Sequence, residues 1–121
     1  MAVERFSSLT PLAQSRPGDS LWFARVPGAA IVYFNFLGYP PIGEMRRIGE
    51  DLKATLAAGD VGALLVDMRN NLGGNFVGGR RLIDLLREPI ESHGISVTVA
   101  IGRDTISAGM TNATDFNGSH P

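Results

Sequence analysis

Val61-Gly62-Ala63-Leu64-Leu65-Val66-Asp67-Met68-Arg69-Asn70-Asn71-Leu72-Gly73-Gly74 decides the fold class of this chain. From Val61 to Val66 the run is almost wholly apolar, which suits a strand covered on both faces. Polar and turn-forming residues then close it, and a glycine pair follows. A second apolar run, Ile95 to Ile101, has the same character. Between the two, Phe76, Val77, Leu82, Ile83, Leu85 and Leu86 fit one helix. That helix should end before Pro89, because the residue ahead of a proline avoids the helical region. Strand, helix and strand in this order imply a parallel pair joined by a right-handed crossover.

Upstream, Leu21 to Val26 reads as a short strand and Ala30 to Leu37 as its return. Pro27-Gly28 suits the type II turn between them, with proline fixing φ at the first corner and glycine taking positive φ at the second. Ile42, Met45, Ile48, Leu52 and Leu56 recur every three or four residues, one apolar face of a helix from about 42 to 58. Gly59-Asp60 should stop it. Downstream, Ser107 to about Phe116 fits a third helix with Thr105 as its cap. The order is β-hairpin, α, β, α, β, α, an α/β fold. Residues 1–19, with Pro11, Pro17 and Gly18 among polar residues, read as an irregular lead-in or linker, and residues 20–121 as a partial domain. The polar tail Asn117-Gly118-Ser119-His120-Pro121 suggests a chain cut before its next strand.

Composition narrows the function classes. The net charge is −1 with signs interspersed, so no basic patch points to nucleic acid. With no cysteine there is no disulfide framework, thiolate chemistry or cysteine metal site. No apolar stretch approaches the roughly 18 residues of a membrane span, and no signal peptide is visible at the start. No metal or cofactor motif stands out. Gly73 to Gly79 lacks the spacing of a nucleotide loop.

Two segments carry candidate chemistry. The Gly73-Gly74 pair lies past the carboxyl end of a buried strand, where α/β sheets bind ligands. Its bare N–H groups could hold a developing oxyanion, although a tight β-α connection would use the same glycines. Ser107 opens a helix past the second buried strand. Its hydroxyl would feel the helix dipole, and the Ala108 N–H is free to donate, although a helix cap uses serine in the same way. Asp67 and Arg69 read as a structural pair or loop brace.

Taken in order, the two motifs resemble those of the C-terminal processing (tail-specific) serine peptidases, peptidase family S41. Asp67-Met68-Arg69-Asn70-Asn71-Leu72-Gly73-Gly74 is similar to that family's D-L-R-x-N-x-G-G turn. Asp104-Thr105-Ile106-Ser107-Ala108 is similar to its T-x-S-A nucleophile segment. The upstream hairpin and amphipathic helix agree, and the resemblance covers about Leu21 to Phe116. It implies a ClpP/crotonase-like β-α-β core and hydrolysis of peptide bonds in a polypeptide substrate through an acyl-enzyme. It implies Ser107 as nucleophile, with Gly73, Gly74 and Ala108 as backbone oxyanion donors. It also suggests a periplasmic or other extracytoplasmic site of action. Met110 departs from the family, which often has Glu there. The PDZ module and the segment that supplies the catalytic lysine are not in the sequence.

A serine also needs a proton acceptor within about 2.6–3.2 Å, directly or through one water. Lys53, the one lysine, reads as a surface charge. His93 precedes the strand leading to Ser107, and that strand should separate the two by about 20 Å. His120 is in the polar tail. Asp104, if exposed, is a poor base for a serine. The expectation is therefore a peptidase core that is inactive as it stands, with self-association through an exposed sheet edge. The other readings are a ligand- or peptide-binding module on the same fold, as in the family's retinoid-carrier relatives, and a crotonase-like acyl-thioester enzyme. The missing adenine-pocket signals disfavour the last.

Overall fold

A computed structural model describes residues 20–69, 71, 76–102 and 116. It is a mixed α/β structure with a four-stranded sheet and two helices: β1 (Leu21–Arg25), β2 (Ile31–Phe36), α1 (Ile42–Leu56), β3 (Ala63–Asp67), α2 (Phe76–Ser92) and β4 (Ser96–Ala100). Sheet order follows chain order, β1-β2-β3-β4. The first pair is antiparallel and the other two are parallel.

The hairpin forms as its turn residues dictate. Gly28 takes φ of 75°, and the Val26 N–H donates to the Ile31 carbonyl at 2.9 Å to close the loop. Beyond it, β2 is joined to β3 through α1, and β3 to β4 through α2. The two helices pack on each other, and Gly49 makes the approach close: a Cβ there would stand 3.1 Å from Leu85 Cδ1. The sheet rows Val32–Leu64–Val97 and Phe34–Val66–Val99 join Met45, Leu52, Leu56, Leu82, Ile83, Leu86 and Ile90 in one core. Phe116, helical and fully buried, stands edge-on to Phe34 and Phe36.

The structure corrects three expectations. Ile42 belongs by spacing to the buried face of α1 but is 50% exposed, because at the first position of the helix it projects past the core. Ala63 and Leu65 of β3 are only half-buried, so the apolar run is not fully covered on its second face. The second helix does not end before Pro89 but runs through it to Ser92. Pro89 forfeits one helical bond, but it and Ile90 are buried. The real stop is Gly94, at φ of 62°. There the Gly94 N–H donates to the Glu91 carbonyl and the Ile95 N–H to the Ile90 carbonyl, a Schellman end. The lead-in, the third helix apart from Phe116, and the tail lie outside the described residues.

Candidate functional site: the carboxyl edge of the parallel strands

The parallel strands finish level with one another. Asn35, Asp67 and Ala100 are in register across β2, β3 and β4, and Trp22 of β1 pairs with Asn35. All four are buried. By strand alternation their side chains share the face opposite the Phe34–Val66–Val99 row.

The centre of this row is ionic. Asp67, whose side chain is 5% exposed, receives Arg69 as a fork, Nε to Oδ1 at 2.9 Å and Nη2 to Oδ2 at 2.8 Å. The Arg69 backbone N–H adds a third bond to Oδ1 at 3.1 Å. Tyr33, two residues before Asn35 on β2, donates its hydroxyl to Oδ2 at 2.5 Å. Burial alone would raise the Asp67 carboxyl; the bonds from Arg69 and Tyr33 outweigh it and hold the group below its ordinary value. Tyr33 is pushed well above the ordinary phenol value, first by burial and then by the Asp67 carboxylate. The Asp67–Arg69 brace expected from the sequence is therefore present. Its chemistry is that of a fixed ion pair. The bonds favour the ionised form of Asp67 and burial the neutral form of Tyr33.

The turn after β3 is tied from a second side. The Asn71 amide donates Nδ2–H to the Phe36 carbonyl at 2.8 Å, and its backbone N–H donates to the Met68 carbonyl at 3.1 Å. Asn71 is fully buried, where a polar side chain stays only if it is bonded. The exits of β3 and β4 also touch. Met68 N–H donates to the Ala100 carbonyl at 2.9 Å. A Cβ at Gly102 would lie 2.8 Å from the Arg69 carbonyl oxygen, so only glycine fits there.

Gly73, Gly74, Ser107 and Ala108 lie outside the described residues. The segments that carry them depart from these two adjacent exits. Of the candidate bases, Lys53 is in the last turn of α1, and His93 is exposed just past α2 and ahead of β4. Both helices return the chain from the carboxyl ends of the strands to the amino ends. Lys53 and His93 therefore sit at the opposite edge from the exits of β3 and β4. Asp104 and His120 lie outside the described residues.

Sequence reasoning does not single out Tyr33 or Gly102 for the site, and Asn71 enters it only as the asparagine of the glycine-pair turn motif. A hydroxyl-bearing Tyr in the otherwise apolar run Ile31–Phe34 is the available signal for the first. Among the described residues, no cluster of His, Asp or Glu could hold a metal ion, and no helix is long and apolar enough to cross a membrane. No family model matches the chain, and no curated protein or solved structure matches it.

Proposed function

We propose that this chain is the core of a serine-type peptidase of the C-terminal processing kind, on a ClpP/crotonase-like frame. One observation carries the reading. The strand leading to Gly73-Gly74 and the strand leading to Ser107 are neighbours, level at Asp67 and Ala100, with exits that touch at Arg69 and Gly102. An acyl-transfer site needs its oxyanion donors and its nucleophile to converge, and adjacent exits at one edge supply that starting point.

In this mechanism the Ser107 oxygen attacks the peptide carbonyl and its proton passes to a base. The N–H groups of Gly73 or Gly74 and of Ala108 hold the tetrahedral oxyanion. Collapse expels the amine, which takes the proton, and water hydrolyses the ester that remains. The described residues offer no base at this edge, so unless a residue outside them supplies one the expected rate is low. Oxyanion stabilisation alone leaves roughly 10³–10⁴-fold over water in triad enzymes, which an ordinary assay does not register.

A fluorophosphonate probe tests the reading. Labelling that maps to Ser107 and vanishes in Ser107→Ala supports it. On a fluorogenic extended peptide, turnover should stay below about 1 s⁻¹. Because the probe needs an activated serine, it is absence of labelling in a longer chain that supplies the base that defeats the peptidase reading. The placement of Lys53 and His93 at the far edge favours a second reading, a peptide-binding module without catalysis. Peptide binding that persists in Gly43→Leu, with Ser107 unlabelled in the longer chain, would select it.

A further inference from the structure

We propose that the cleft between the first turns of α1 and α2 docks a polypeptide segment that presents an apolar side chain flanked by carboxylates. This surface lies at the same carboxyl edge as the strand ends on which the hydrolytic reading rests, but its lining among the described residues is drawn wholly from the two helices.

The cleft has a volume of about 460 Å³. Its walls are Ile42, Met45 and Arg46 from α1 and Arg81, Leu82 and Leu85 from α2. The two helices touch closely at Gly49, which closes the deep end. Toward their starts Gly43 and Gly78 supply no side chains, and the space opens. A Cβ at Gly43 would meet nothing within 4 Å. The floor is apolar, and a methionine in it can adapt to different occupants.

The charged side chains that line the cleft are both cations. Arg46 and Arg81 rise from opposite walls, and no carboxylate lines the cleft among the described residues. Arg46 is paired with Glu50, at 3.5 Å, but both side chains are more than half exposed. Such a pair is worth at most about 1 kcal/mol and exchanges readily for an incoming carboxylate. Arg81 is exposed and makes no ion pair among the described residues.

The apolar surface also extends past the mouth. Ile42 is 50% exposed and Val77 48% exposed, the two large hydrophobic side chains left in water among the described residues. Each lies one helical turn ahead of a cleft arginine, Ile42 before Arg46 and Val77 before Arg81, so each shares that arginine's face. An occupant confined to the cleft would leave both uncovered. A polypeptide laid across the two helix starts would cover them, with an apolar anchor in the cleft and acidic residues over the arginines.

The test is fluorescence anisotropy with a labelled synthetic peptide, Glu-Glu-Leu-Glu-Glu-Leu-Glu-Glu, and twins with lysine for glutamate or serine for leucine. The full chain should bind the acidic leucine peptide saturably and both twins at least about tenfold more weakly. Two variants check the place. Arg81→Glu, at an exposed position, should weaken the acidic peptide by at least about tenfold and gain the lysine twin. Gly43→Leu puts a side chain into open space on a helix that prefers leucine to glycine, so it should fold and block the cleft. Absent binding, equal binding of the lysine twin, or unchanged binding by either variant overturns the proposal. So does concentration-dependent sedimentation that Gly43→Leu abolishes, which would make a second copy the occupant.

Discussion

Asp67 is an ionised carboxylate inside a sheet, and what holds it there is a set of donors on two sides. Arg69 provides the fork and the turn, and Tyr33 reaches over from the neighbouring strand. Asp67→Asn removes the charge that both partners answer. Because the Arg69 side chain is 37% exposed, water takes up part of the loss, and the expected cost is about 1–3 kcal/mol in urea unfolding. Tyr33→Phe should cost about 1 kcal/mol, the worth of one hydrogen bond. The two groups also set opposite pH limits. Asp67 is depressed from its ordinary 3.8, so its contribution is complete above that pH and is lost as pH falls through the lower native value. Tyr33 is raised from 10.0, so its contribution is complete below pH 10.0 and declines as pH rises beyond it. Urea midpoints across pH should show the acid loss flattened in Asp67→Asn and the alkaline loss flattened in Tyr33→Phe. An unchanged acid limb in Asp67→Asn would mean that other carboxylates govern it. The Asp67–Arg69 pair was legible in the sequence because its members are two positions apart at a strand end. Tyr33 was not, because its partner arrives on a strand 34 residues away and only the register brings it near.

Elements formed where local chemistry and burial agreed, and were misread where they competed. The hairpin was legible because Pro27-Gly28 fixes a turn whose glycine does take positive φ. The first helix was legible from its apolar spacing, and Met45, Ile48, Leu52 and Leu56 are indeed buried. The end of α2 was misread, because proline penalises a helix and the sequence does not reveal what offsets it. The offset is tertiary: Pro89 and Ile90 are buried, and the chain continues until Gly94 can turn it. Gly94→Ala should therefore cost about 1 kcal/mol, purely from the backbone, since a Cβ there meets no atom within 4 Å. Gly49 differs in kind. A larger side chain there drives into Leu85 and Leu82, and Gly49→Val should cost about 1–3 kcal/mol through overpacking. Thermal melting separates the two mechanisms, because Gly94→Asn should recover most of the first loss and no residue larger than glycine should recover the second. Equal losses for alanine and asparagine at position 94 would count against a left-handed turn as the helix stop.

The whole sheet has one consequence that no single element carries. With order β1-β2-β3-β4, β1 and β4 are its margins among the described residues. The two margins differ. β4 bonds inward to β3 through alternate residues, as the Ser96 N–H to the Gly62 carbonyl and the Met68 N–H to the Ala100 carbonyl show. In a parallel ladder that alternation turns the backbone groups of Val97 and Val99 outward. Such a row is a template for another strand, and Ser96-Val97-Thr98-Val99-Ala100 carries neither the charge nor the proline that blunts an edge. β1 is better protected, since Arg25 at its end is charged and exposed. The chain is therefore expected to associate through β4 as its concentration rises. Thr98 is half-buried on the face away from the core row, so Thr98→Lys places a cation at the edge without entering the Val97–Val99 packing. Sedimentation velocity over a concentration series should show association in the natural chain and a shift toward monomer in Thr98→Lys, with the melting temperature little changed. A natural chain that stays monomeric throughout would mean that β4 is not an open edge, and association insensitive to Thr98→Lys would move the contact elsewhere on the surface. Gly43→Leu then decides between the edge and the helix cleft, since it fills the cleft and leaves β4 untouched.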